Sequence, residues 1–351
     1  MERALLLAGR ARGRTTPNPL VGAVVVTPDG VVAGTGFHER AGEPHAEVHA
    51  LRAAGAAARG STLYCTLEPC NHVGRTPPCV DRILESGVAR VVAAVEDPNP
   101  LVAGRGFLRL RQAGVTVDVG PGAAAARRLN RPFFSVMQRG RPYVIVKAVT
   151  GLDGRVATAA GGPTRLSSPA ADRRTHALRA EVDAIAVGSG TLLADDPLLT
   201  ARGVYRIRPL TRVIFDRRLR TPVSARVFST LESGPVIVVA GPGAPAGAAR
   251  ALASAGARVV TADGSLTGAL RLLVPMGVQS ILVEGGPTVH AALWRDGAAD
   301  AVRLVVAPRV LGEGGVPWVE HAVAPWASWR RVSVGPCGDD VIIEADVHWT
   351  D

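Results

Sequence analysis

His45 and Glu47 stand two residues apart in "HAEVHALRAAG", and Cys70 and Cys79 bracket a proline-rich loop in "TLEPCNHVGRTPPC". Imidazole nitrogen and thiolate sulfur are donors that zinc prefers, and a catalytic zinc takes three protein ligands and keeps a fourth position for water. His45, Cys70 and Cys79 supply such a set. Glu47, at the start of a predicted helix, need not bind metal and can carry the proton of the bound water. A structural zinc is the competing reading and requires a fourth protein ligand, for which His49 and His72 are the candidates. A solvated helix start beside an unrelated Pro-Cys pair is the third. Cys65 reads as a buried strand residue, and Cys337 is remote.

The second half of the chain carries weaker signals. Lys147 is the sole lysine among 40 basic residues, and an ammonium can lose its proton or act as a compact charge where a guanidinium cannot. "EGGPT", from Glu284, follows a predicted strand and precedes a predicted helix, an arrangement that can cradle a pyrophosphate on free backbone amides or can be a tight turn. "AGPGAP" offers Gly241 and Gly243, but the Gly-x-Gly-x-x-Gly fingerprint of a Rossmann site is missing. Arg179 and Arg202 suit phosphate oxygens, with surface solvation as the alternative. Asp195, in "LADDP", is an acid placed to deliver a proton or to cap a turn.

The elements that must position these residues alternate between strand and helix. "LVGAVVVTPDGVVAGTGFH" reads as a hairpin about Pro-Asp-Gly, "HAEVHALRAAGAAA" as a helix, and "STLYCTLEP" as a strand stopped by proline. "CVDRILESG" reads as a helix ended by Gly87; strand "ARVVAAVED", helix "GRGFLRLRQAG" and strand "VTVDVG" follow. Proline and basic residues in "NRPFFSVMQRGRPYVIVK" mark a composition break, which sets the expected domains at 1–140 and 141–351. From "YVIVKAVT" to "AVRLVVAPRVLG" the pattern is again strand and helix, implying a second α/β domain with a mostly parallel sheet.

The 351 residues suffice for two cores. At 47% hydrophobic the chain is globular in composition, and no apolar run is long enough to span a membrane. "MERALLLAGRARGR" reads as a first helix and not as a signal peptide, so a cytoplasmic protein is expected. A net charge of +10 points to anionic partners. The arginines are scattered and aromatics are only 4%, which favours phosphorylated small molecules over nucleic acid. Oligomeric state is left open, a homo-oligomer included.

His-x-Glu followed by Pro-Cys and a second cysteine is the pattern of zinc deaminases, although here eight residues separate the cysteines instead of two. With "TTPNPLVGAVVV", "VEDPNPLVAGRGFLRLRQAGV", "KAVTGLDGR", "LRAEVDAIAVGSGTLLADDPLLTAR" and "ILVEGGPTVHAALW", the chain resembles the bifunctional deaminase-reductases of riboflavin biosynthesis along essentially its whole length. The resemblance implies a three-layer cytidine-deaminase-like domain followed by a dihydrofolate-reductase-like α/β domain. It implies Zn2+ on His45, Cys70 and Cys79, Glu47 as proton shuttle, and a phosphorylated pyrimidine bound by Asn18, His38 and His72.

For the second domain the resemblance implies NADPH at Val149, Arg165, Thr191, Asp195 and the run Gly286, Pro287, Thr288, Val289, His290, Ala291 and Ala292. Pro163, Arg179, Leu199, Arg202 and Glu284 map to the substrate side, with Lys147 and Asp195 as candidate acids. Two positions depart from the family pattern. Gly151 stands where serine is common, and Arg165 stands where tryptophan is common, which leaves cofactor packing and preference open.

Overall fold

The computed structural model describes residues 1–72, 77–158, 164–319 and 327–349; Pro163 lies outside them. The chain divides into two compact units, Met1–Gly140 and Arg141–Asp351. Among the described residues no helix is long and apolar enough to cross a membrane.

In the first unit, α1 (Glu2–Gly9) precedes the hairpin β1 (Gly22–Val26) and β2 (Val32–Phe37). Then come α2 (Ala46–Ala54), β3 (Thr62–Cys65), α3 (Cys79–Ser86), β4 (Arg90–Ala93), α4 (Arg105–Gln112), β5 (Thr116–Val119), α5 (Ala123–Leu129) and α6 (Arg131–Arg139). The sheet order is β2-β1-β3-β4-β5, antiparallel where β1 meets β2 and β3 and parallel from β3 onward.

Glycines set the layers. A Cβ on Gly22 would lie 2.0 Å from the Ala4 carbonyl of α1, whereas Cβ atoms on Gly34 and Gly36 would lie 2.2 and 2.5 Å from the Ala50 and Ala46 carbonyls of α2. Gly36 opposes Ala23, the residue after Gly22, so α1 and α2 cover opposite faces of the pleat. Three layers result. The segment "NRPFFSVMQRG", for which the sequence reading assigns no element, forms α6, the last helix of the first unit. Its proline sits in the first turn, where no amide is lost, and Phe133 and Phe134 are buried in the core.

The second unit runs β6 (Tyr143–Thr150), β7 (Arg155–Ala157), α7 (Pro169–Glu181), β8 (Ala184–Gly188), α8 (Ser189–Asp195), β9 (Thr211–Phe215) and β10 (Val236–Ala240). It continues with α9 (Ala246–Ser254), β11 (Ala257–Thr261), α10 (Leu266–Leu273), β12 (Ser280–Val283), α11 (Pro287–Arg295), β13 (Ala301–Val306), β14 (Val316–Pro317), β15 (Ala327–Cys337) and β16 (Asp340–Trp349). Nine strands form one sheet in the order β11-β10-β9-β8-β12-β6-β13-β16-β15, and β7 pairs with β14.

Seven of the nine are parallel, and β16 and β15 add antiparallel at one edge. β8, β10 and β12 are buried throughout, as strands covered on both faces must be. β6 alternates, which puts Lys147 and Val149 on the same face as Ile145.

Candidate active sites

Two local features bring the metal-type donors of the first unit together. His45 is the N-cap of α2 and Glu47 lies in its first turn, a helix held down on Gly34 and Gly36. Across the wide loop, the Cys79 amide donates to Cys70 Sγ at 3.3 Å and the Val80 amide donates to the Cys70 carbonyl at 3.2 Å. The start of α3 thus folds over Cys70, where helix-terminal amides favour a thiolate. His45 Nδ1 lies 3.1 Å from Cys79 Sγ and 3.5 Å from Cys70 Sγ.

The donor atoms of His45, Cys70 and Cys79 all lie within 4.8 Å of one another, and among the described residues no fourth His, Cys, Asp or Glu joins them. One nitrogen and two sulfurs fit zinc with a ligand position to spare. The hydrogen bond from Cys79, reinforced by His45, pulls the Cys70 thiol down to about 4, while the same bond and burial push Cys79 up. Beside them Glu47 is 3% exposed, and its Oε2 has no hydrogen-bond partner. Burial lifts its carboxyl to about 7 against the opposing pull of His45.

His45, Glu47 and Cys70 line a cavity of ≈ 360 Å³ together with Asn18, His38 and His72, a size suited to a small molecule. His38 is 2% exposed and is no surface histidine. Its Nδ1 lies 3.2 Å from the Pro44 carbonyl, so that nitrogen carries the proton, and its Nε2 lies 3.1 Å from Asn18 Nδ2. This orients the Asn18 amide. Burial keeps the His38 pKa low and the ring neutral. Asp97, Asn99 and Val102 also line the cavity, and burial raises Asp97 to about 6. The sequence reading did not single them out, although "VEDPNPLVAGRG" contains all three.

In the second unit Glu284, just past β12, is held in a fork by Arg179, with Nε–Oε1 and Nη2–Oε2 both 2.6 Å. Lys147 Nζ lies 3.9 Å from Glu284 Oε2. All three side chains are at most 13% exposed. Burial presses the Glu284 carboxyl upward, but Lys147 and Arg179 outweigh it and hold its pKa below the ordinary glutamate range. Burial lowers Lys147. Arg179 also donates to the Thr200 carbonyl at 2.8 Å, next to buried Leu199. The Arg202 amide donates to His176 Nδ1 at 3.1 Å, one turn before Arg179 on α7.

A second cluster lies at the carboxyl ends of β8 and β12, where ligands of parallel α/β sheets bind. The Gly188 amide donates to the Gly285 carbonyl at 3.1 Å. A Cβ on Gly286 would sit 2.9 Å from Thr191 Oγ1, and one on Gly188 would sit 2.8 Å from Val289 Cγ2. The Gly-Gly turn thus presses on Thr191 and opens α11 at Pro287, a helix start suited to phosphate, which fits a nucleotide cofactor. Thr288 is exposed, and Ala291 and Ala292 are half-buried on the same helix.

The remaining candidates make other contacts. His290 turns inward, with Nδ1 3.1 Å from the Trp318 carbonyl. Asp195 ends α8 exposed. Arg165 is 79% exposed and pairs with Asp172 at 3.3 Å. Gly151 has a local reason: a Cβ there would lie 2.7 Å from the Arg309 carbonyl.

Residues 1–95 match the cytidine and deoxycytidylate deaminase zinc-binding region, and residues 142–343 match the RibD C-terminal domain. Riboflavin biosynthesis protein RibD of Aquifex aeolicus is 40% identical over 350 residues, 98% of this chain and 96% of its own length. Acinetobacter baumannii RibD superposes with a TM-score of 0.90 at 35% identity, covering 99% of this chain and 97% of its own. A Thermotoga maritima diaminohydroxyphosphoribosylaminopyrimidine deaminase/5-amino-6-(5-phosphoribosylamino)uracil reductase gives a TM-score of 0.85 at 32% identity, covering 99% and 97%. With a three-donor cluster in one unit and a parallel sheet whose Gly-Gly turn opens a helix in the other, the chain belongs to the RibD family of riboflavin biosynthesis proteins, which join a zinc-binding deaminase region to a reductase region.

Proposed function

We propose that the first unit hydrolytically deaminates 2,5-diamino-6-hydroxy-4-(5-phosphoribosylamino)pyrimidine and that the second reduces the ribosyl chain of the product to ribityl with NADPH. The clustering of His45, Cys70 and Cys79, beside a cavity that His45, Cys70 and Glu47 line and with the Oε2 of Glu47 unpartnered, carries this reading. His45, Cys70 and Cys79 would hold zinc, which when bound supplies a water acidified toward neutral pH. Glu47 takes a proton from the attacking water at its carboxylate and passes it to the ring nitrogen, then takes the proton of the hydroxyl added to the ring and gives it to the amino group, which leaves as ammonia. Asn18, oriented by His38, meets the polar edge of the ring, and His72 lies on the side of the ribose phosphate.

In the second unit Thr191 and the Gly286–Ala292 segment would hold NADPH, which when bound supplies the hydride. Arg179 and Arg202 suit the substrate phosphate. Lys147, its ammonium disfavoured by burial, is placed to give the matching proton, and Glu284 orients it. Asp195 is the other candidate acid. A phosphorylated metabolite as substrate accords with the net charge of +10 and with work in the cytoplasm.

Purified protein supplied with the diaminopyrimidine and NADPH should release ammonia first and oxidise NADPH second. Supplied with the deaminated intermediate alone, it should oxidise NADPH directly; no oxidation there would sink the reductase half. Salt-dependent binding to generic RNA or DNA with no ammonia release would favour a nucleic-acid module instead.

A further inference from the structure

Glu68 is a buried carboxylate that neither the metal donors nor the proton shuttle uses. It stands two residues before Cys70 and is 3% exposed. Its Oε1 accepts from the backbone amides of Gly106 at 2.9 Å and Phe107 at 3.3 Å. Its Oε2 accepts from those of Gly104 at 2.9 Å and Asp97 at 3.3 Å. Gly104 is the N-cap of α4, and Gly106 and Phe107 lie in its first turn, so three of the four donors are amides that a helix start leaves unsatisfied.

The fourth donor makes this more than a cap. Asp97 opens the loop that lines the cavity with Asp97, Asn99 and Val102. That loop is braced from within, the Asn99 amide donating to Asp97 Oδ1 at 2.8 Å and the Leu101 amide to Asn99 Oδ1 at 3.0 Å. Its own side chains thus hold its first turn, and Glu68 grips both of its ends through the Asp97 and Gly104 amides. Independent atoms show how close the two segments are. A Cβ on Gly106 would lie 2.2 Å from the Pro69 carbonyl, so the start of α4 packs directly on the peptide that leads into Cys70.

We propose that Glu68 is a positioning residue for deamination, fixing the 97–104 loop against the Cys70 arm. It thereby sets the separation between the cavity side chains Asp97 and Asn99 and the metal donors. The inference rests on reading the first unit as a deaminase.

The test uses the full-length zinc-loaded protein. Glu68→Gln replaces one acceptor oxygen by an amide that faces donors. Its kcat/KM for ammonia release should fall roughly 10–100-fold, mainly through KM, with zinc content unchanged. The amides of Gly104, Gly106 and Phe107 should exchange faster, and reduction of the deaminated intermediate by NADPH should continue at the wild-type rate. A variant with wild-type KM and wild-type exchange at these amides overturns the proposal. So does loss through kcat alone in step with lost zinc, because Glu68 would then serve only the metal. Should the variant fail to fold, exchange in the wild-type protein decides: protection of the three amides supports the cage, and exchange as fast as in an unstructured peptide overturns it. That measurement needs no substrate, whereas absence of ammonia release by the wild type would refute the deaminase reading.

Discussion

Gly36→Ala is the substitution whose effect follows most directly from the geometry of the first unit. The new Cβ would lie 2.5 Å from the Ala46 carbonyl, 2.5 Å from His49 Cβ and 2.6 Å from the Ala50 amide nitrogen. Ordinary contact begins near 3.4 Å, so α2 must retreat by about 1 Å, and the obstacles are mostly backbone that cannot rotate aside. Overpacking of this kind costs about 1–3 kcal/mol. The helix that moves carries His45 at its cap and Glu47 in its first turn, and a displacement of about 1 Å can lower a rate on the order of 10²-fold. Ammonia release should fall by that order, and the thermal transition of the first unit should drop by several degrees. Reduction of the deaminated intermediate should be untouched. Gly9→Ala is the control, since its Cβ meets nothing within 4 Å. Ammonia release by Gly36→Ala above half the wild-type rate would refute the claim that α2 is seated on β2 glycines.

Further outcomes follow from the same contacts. Glu47→Gln should keep its metal and lose roughly 10²–10⁴-fold in deaminase kcat, read by metal analysis beside ammonia release; a smaller loss would remove Glu47 from proton transfer. Glu284→Gln leaves Arg179 and Lys147 buried without their counter-charge, which should destabilise the second unit by about 3–5 kcal/mol at neutral pH, measured by denaturant unfolding. Because the Glu284 pKa is depressed in the fold, its stabilisation is present above the ordinary glutamate range and is lost as pH falls through the lower folded value. The gap between wild type and Glu284→Gln should therefore close in acid, and a gap that widens there would show the sign to be wrong. Gly286→Ala puts a Cβ 2.9 Å from Thr191 Oγ1, and an overpacking cost of about 1–2 kcal/mol should raise the KM for NADPH roughly 5–30-fold while ammonia release stays constant.

The donor set was legible in the sequence because ligand chemistry depends on residue type, and His45, Glu47, Cys70 and Cys79 are unusual together. Strands and helices with clean periods were legible for a similar local reason. Contacts made by chain return were not. Glu68 looks like any carboxylate before Pro69 until four amides from 97–107 close on it. Gly34 and Gly36 read as ordinary strand residues, and only the packed helix shows why a side chain is excluded. α6 is hidden in the sequence because Pro132 disrupts a helix interior but not a first turn. The long pair β15 and β16 escaped notice because its alternation is broken by a register shift between Arg330 and Ser333, with Arg331 at φ 51°.

The central claim is that His45, Cys70 and Cys79 together hold the metal on which deamination depends. Zinc content, ammonia release and NADPH oxidation measured on one preparation each of wild type and Cys79→Ser test it most directly. The geometry predicts stoichiometric zinc in the wild type, loss of zinc and of ammonia release in Cys79→Ser, and unchanged reduction of the deaminated intermediate by NADPH. Equal zinc and equal ammonia release in the two proteins would contradict the site.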